Sequence, residues 1–129
     1  RRALMPHEDW YDRGGITSGH FDAADRYVRY YQLGLLGGRG ASDDPKSAPA
    51  HRFHEGKAHH LNLLMLAQAA LRTHERTVLD CTMLGGMTLD AYAAEFLRLP
   101  LSAPILRARV MGLVTSGLET LCDHWGITP

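Results

Sequence analysis

Large apolar residues in this chain recur at steps of three and four from Phe21 to Trp125, and nowhere do they alternate with polar residues over the length of a strand. Such spacing buries a stripe along a helix and cannot line one face of a sheet, so an all-α fold of about five helices is expected. No internal repeat interrupts the pattern. With 129 residues, 45% of them hydrophobic, the chain can fill one core but not two, and residues 1–129 are read as a single helical domain.

Punctuation divides that domain. Residues 1–16 mix charges with Pro6, Trp10 and Gly14-Gly15 without periodicity, and are expected to form an extended arm. Residues 17–36 are helix one: Thr17 or Ser18 offers a cap, and Phe21, Ala24, Val28, Tyr31 and Leu35 trace an apolar stripe. Its other side carries Asp22/Arg26 and Asp25/Arg29 at i,i+4, worth ~0.2 to 0.5 kcal/mol per pair. Residues 37–50, rich in Gly, Pro, Ser and Asp, are the one long loop. Its Gly37-Gly38-Arg39-Gly40 lacks the Lys-Ser/Thr ending of a phosphate-binding loop and follows no strand. Residues 51–72 are helix two, with Ala58, Leu61, Leu64, Met65, Gln68 and Leu71 on one side and Leu63 and Leu66 widening the stripe toward a central role.

Residues 73–129 hold the remaining helices. Thr73 is expected to cap a helix that Gly85-Gly86 stops; Thr88 caps a short helix with Asp90 in its first turn. Pro100 then breaks the chain, and Ser102 caps the last helix, whose seam runs through Ile105, Leu106, Val110, Leu113, Gly117, Leu121 and Trp125 to Gly126. Apolar residues wrap more than one side of this last helix, which suggests a homodimer or a docking surface for a larger complex.

This order of helix, Gly-Gly, short capped helix, turn and long helix, over RTVLDCTMLGGMTLDAYAAEFLRLPLSAPILRARVMGLVTSGL, resembles the helix-turn-helix of sigma-factor region 4. The resemblance covers about the last fifty residues. It implies that Ala94 is the small residue admitting the recognition helix, that Leu97 and Leu99 plug the turn, and that Ile105 and Val110 face inward. Arg98 stands where such turns usually hold glycine, and LRLPLSAP is about one residue longer than the common form. More loosely, DAADRYVRYYQLGLLGG and LCDHWGI are similar to the small all-helical domain of regulators in gene-transfer-agent and phage-like gene clusters. Both resemblances imply a non-enzymatic transcription regulator.

Charge placement offers a separate argument. Fourteen Lys+Arg balance fourteen Asp+Glu, so no bulk field draws the molecule to nucleic acid or to an anionic membrane. Yet Thr77 to Leu97 carries only Asp80, Asp90 and Glu95, whereas Arg98 to Leu118 carries only Arg98, Arg107 and Arg109. If the turn and the start of the last helix face double-stranded DNA, Arg98, Ser102, Arg107 and Arg109 are the residues to contact it, with free first-turn N–H groups beside them. Three arginines make a modest patch, so help is expected from RNA polymerase, another transcription factor or a homodimer partner. The alternative is a protein-interaction module, an antitermination or adaptor factor that binds polymerase without touching DNA.

Catalytic chemistry finds little support. His51, His54, His59 and His60 cluster in HRFHEGKAHH, but their spacings of three, five and one are not those of paired ligands on one helix face, and His54-Glu55 does not continue as H-E-x-x-H. A metal-dependent enzyme is the minor third reading; no metal and no cofactor are expected. Cys81 and Cys122 read as reduced core residues, Asp80 disfavouring a thiolate at Cys81. Tyr27, Tyr30 and Tyr31 could stack bases but fit core or interface better. No run approaches a membrane span, and no signal-peptide apolar region follows Arg1-Arg2, so a soluble, cytoplasmic protein is expected. A first residue of Arg1 rather than Met suggests a piece of something longer.

Overall fold

Six helices build the described part of the chain, residues 5–35 and 50–129 of a computed structural model; within the second stretch, side chains are described from residue 56 onward. They are α1 (Pro6–Asp12), α2 (Ser18–Leu35), α3 (Ala50–Ala70), α4 (Thr73–Leu79), α5 (Leu89–Tyr92) and α6 (Ala103–Trp125). α4 winds on into a π-helical turn, Asp80–Leu84, and α5 into another, Ala93–Leu97. No strand occurs among the described residues, and no helix among them is long and apolar enough to cross a membrane.

Within the expected extended arm, Pro6–Asp12 is a helix. Pro6 takes the first helical position, where its missing N–H costs nothing, and the Glu8 carboxylate accepts the Met5 N–H at 2.8 Å. Burial then holds α1 in place. Trp10 is almost covered; His7 is buried against Phe21, with Nε2 3.3 Å from Asp25 of α2. Residues 37–49 of the expected loop, the Gly37–Gly40 run among them, lie outside the described residues, and Ala50 already belongs to α3.

α6, not the second long helix, is the hub. It touches α2, α3, α4 and α5, and turns Val110, Val114, Gly117, Leu118, Leu121 and Cys122 inward. The apolar excess on this helix is thus mostly consumed within the fold, because four helices share its surface. Among its described side chains α3 buries only Leu64 and Ala67, with Leu71 just past its end, while Met65 and Leu66 stand half open to solvent. Its apolar face is wider than its one main partner, α2, can cover.

Polar side chains lock the α4–α6 contact. Arg72, rather than Thr73, takes the N-cap of α4, and its N–H donates to Glu75 at 3.0 Å. Glu75 is buried, with Ser116 Oγ donating to it at 2.6 Å and Thr120 Oγ1 3.1 Å from both carboxylate oxygens. Burial alone would raise this carboxyl. The hydrogen bonds from Ser116, Arg72 and Thr120, with His74 nearby, outweigh it and hold the group below its ordinary value. At Gly117 a Cβ would stand 2.9 Å from Leu79 Cδ1, so α4 and α6 approach closely because that position lacks a side chain. On the other flank Tyr27, fully buried, donates to Asp80 at 2.6 Å; burial first, then Asp80, pushes its phenol well above the usual value. That removes Tyr27 from any base-stacking surface.

Candidate functional site

The segment proposed for partner contact is the corner between α5 and α6. Thr88 caps α5 as its position suggests, its hydroxyl accepting the Ala91 N–H at 3.0 Å. Tyr92 and Ala93 are the buried residues of this short helix. Ala93, not Ala94, is therefore the small residue that faces α6; Ala94 lies on the exposed side. The π turn explains the shift. The Arg98 N–H reaches back five residues to the Ala93 carbonyl at 3.0 Å, which displaces the face by part of a turn.

Arg98 ends the helix in the left-handed region, at φ 51°, and is the one non-glycine residue with positive φ among those described. Its Nε donates to the Glu95 carbonyl at 3.1 Å, which ties the side chain to the helix it terminates. Pro100 follows in a tight turn closed by Leu101 N–H to Leu99 O at 2.9 Å. Ser102 then takes the N-cap backbone conformation of α6, with φ −66° and ψ 155°, and its carbonyl accepts the Leu106 N–H. Its hydroxyl, however, makes no capping hydrogen bond. The expected cap is one of backbone only.

The four candidate residues do not form one rim. Arg107 and Arg109 are two residues apart and hence separated by roughly 200° around the helix. Arg107 lies toward the α5 side, where Nε pairs with Asp90 Oδ1 at 2.7 Å, both side chains about half exposed. Arg109 is exposed and has no ion pair or hydrogen bond among the described residues. Asp90, read from the sequence as part of an acidic segment opposed to the arginines, in fact neutralises one of them.

What the corner does gather is apolar. Phe96, Leu99, Leu101 and Ile105 are exposed by 47%, 41%, 36% and 48%. Leu97 and Val110 face inward as the resemblance implies, but Leu99 and Ile105 do not. Ile105 lies five residues from Val110, off the seam that runs through Leu106, Val110, Leu113, Gly117 and Leu121. Phe96 stacks on Tyr92 at 4.5 Å between ring centroids, which fixes one wall of the patch. Periodicity gave no signal for this surface, because Leu99 and Leu101 flank Pro100 in the turn, where helical spacing assigns no face.

The remaining candidates separate. His51 and His54 have side chains outside the described residues, His59 is exposed, and His60 Nδ1 donates to the Gly56 carbonyl at 2.7 Å. Among the described residues no group of three His, Cys, Asp or Glu side chains could hold a metal. Both thiols are free; burial and then nearby carboxylates, Asp80 for Cys81 and Asp123 for Cys122, push them upward, away from nucleophilic use. Of the charge pairs expected on α2, Asp25/Arg29 forms, while Arg26 instead lies over the Trp125 ring at 5.2 Å. A scan against family models, a search of curated proteins and a search of solved structures each find no match to the chain.

Proposed function

We propose that this chain is a protein-docking module, working through the α5–α6 corner to bind a component of the transcription machinery. One observation carries the reading: of the eight large apolar side chains left exposed among the described residues, four fall within residues 96–105. Burying such a side chain fully is worth ~1.5 to 3 kcal/mol, so the four half-exposed groups can return on the order of 3 to 6 kcal/mol. Association itself costs at least about 4 kcal/mol, which makes the corner a weak, transient contact unless neighbouring groups join it. The choice of RNA polymerase or a DNA-bound factor as partner comes from the sigma-region-4 resemblance of the sequence.

Direct contact with double-stranded DNA is the second reading, supported by the exposed side chains of Arg98, just before α6, and Arg109, in its second turn. Two such groups would give a salt slope near ~2 in log–log terms, far below that of a free-standing DNA binder. Purified RNA polymerase titrated with the chain decides between the readings. In the docking reading Ile105→Glu with Leu99→Glu weakens binding at least tenfold, and Arg98→Ala with Arg109→Ala changes it little. Polymerase binding that survives the glutamates, together with a DNA mobility shift whose salt slope drops in the arginine variant, overturns docking in favour of DNA.

A further inference from the structure

Away from the corner, α1 leans over the connection between α4 and α5 and leaves a cleft of about 470 Å³. Three separate parts of the chain supply its walls: Pro6 and Trp10 from α1, Met87 and Leu89 around the start of α5, and Met111 from α6. Gly15 and Gly86 also line it. Gly86 has φ +73°, and a Cβ on Gly15 would stand 3.4 Å from the Met111 methyl group, so a side chain at position 15 would intrude on this wall. The charged residues of the lining, Asp9 and Arg13, are paired with each other at 3.0 Å and open to solvent.

We propose that this cleft binds a small neutral aromatic molecule of one or two fused rings, with any polar substituent left at the mouth. The volume falls in the range of small-molecule sites, roughly 300 to 1,000 Å³, and such sites are mostly apolar with few polar groups. The chemistry of the walls selects the ring. Thioethers of methionine are polarizable and conformationally adaptable, and they pack favourably against aromatic faces and edges. Trp10 is almost covered, so it closes the α1 wall and leaves the ring contact to the two methionines. An ionised ligand is disfavoured, because the Asp9–Arg13 pair already satisfies both local charges and the apolar walls offer nothing to a desolvated ion. The cleft shares α5 and α6 with the docking corner but none of its residues, so this site does not rest on the docking reading.

Methyl-labelled methionine provides the test, with coumarin as the neutral two-ring probe. Titration is expected to shift the Met87 and Met111 methyl resonances saturably, with intermolecular Overhauser contacts from the coumarin protons to Met111. Met65, exposed on α3, reports non-specific association and is expected to stay fixed. Coumarin-3-carboxylate is expected to bind at least tenfold more weakly than coumarin, and Met87→Trp, which fills the cleft, to weaken coumarin at least tenfold. Absence of shifts up to the solubility limit overturns the proposal, as does a Met65 shift that tracks the others. Equal affinity for the carboxylate overturns the neutral class, and unchanged affinity in a folded Met87→Trp overturns the location. Should that variant fail to fold, the Overhauser contacts to Met111 in the unaltered chain decide the location.

Discussion

From Val110 to Cys122, α6 feeds six residues into the core, whereas from Ala103 to Arg109 none is buried and Leu106 is the one that is mostly covered. The same helix is thus a buried strut at one end and a bare rod at the other. What differs is the number of neighbours. α2, α3 and α4 surround the long C-terminal part together, while the short α5 meets the N-terminal part with little more than Tyr92, Ala93 and the Asp90–Arg107 pair. Apolar side chains therefore mean different things at the two ends: packing at Leu118, and an unpartnered surface at Ile105.

The sharpest way to break this contrast is to truncate one apolar residue at each end. Leu118→Ala is expected to lose about 2 to 5 kcal/mol of stability in urea denaturation, because a fully buried leucine loses both transfer energy and packing. Ile105→Ala is expected to stay within about 0.5 kcal/mol of the parent. Similar losses at both sites would mean that the corner is sealed by something in the folded chain, and the docking surface would disappear with that result.

Glu75 offers a second comparison, since the buried end is held by polar groups as well as by packing. Glu75→Ala leaves the Arg72 N–H and the hydroxyls of Ser116 and Thr120 without their carboxylate, and is expected to cost about 1 to 3 kcal/mol at neutral pH. The sign of its pH dependence follows from the lowered folded value. The unfolded chain takes up the proton first as pH falls, so the stabilisation is complete above the ordinary glutamate value, about 4.3, and is lost progressively below it. Acid titration of stability should therefore be shallower in Glu75→Gln than in the parent. An unchanged profile would show that the carboxylate is not held by these groups in solution.

Periodicity made the buried end legible. Leu106, Val110, Leu113, Gly117 and Leu121 recur at steps of three and four, and a stripe of that kind can only be a packed seam. The bare end was misread because periodicity reports which face a residue lies on, not whether a neighbour reaches it. Ile105 reads as part of the seam by its apolar type, but its five-residue offset from Val110 turns it elsewhere. α1 shows no such stripe because seven residues are too few to carry one; its marks are Pro6 at the first position and Glu8 two residues on, which is how a helix begins. The pairing of Arg107 with Asp90 needed three dimensions, as seventeen residues and a turn separate them.

That pairing supplies a smaller test. Both side chains are about half exposed, so Arg107→Ala is expected to cost no more than about 1 kcal/mol, and less in high salt. A larger, salt-insensitive loss would mean that the α5–α6 angle depends on this contact, and that the corner is more tightly built than its exposure suggests.

The smallest expected effect is a gain. Arg98 adopts φ 51° because the π turn ends there and the chain must reverse toward Pro100; for a residue with a Cβ, this left-handed conformation costs roughly 1 to 2 kcal/mol. Glycine removes that strain but brings back about 0.5 to 1 kcal/mol of unfolded-state entropy. It also loses the modest hydrogen bond from Arg98 Nε to the Glu95 carbonyl, which is exposed to water. Arg98→Gly is accordingly expected to raise stability by about 0.5 kcal/mol, measured as a shift in denaturant midpoint at constant slope. Because this substitution changes charge and strain together, Arg98→Asn is its control: asparagine tolerates the left-handed region and removes the charge without adding glycine's freedom. If both variants are less stable than the parent, then the arginine is held at this turn by contacts stronger than one exposed hydrogen bond, and the corner carries structure that its open apolar surface conceals.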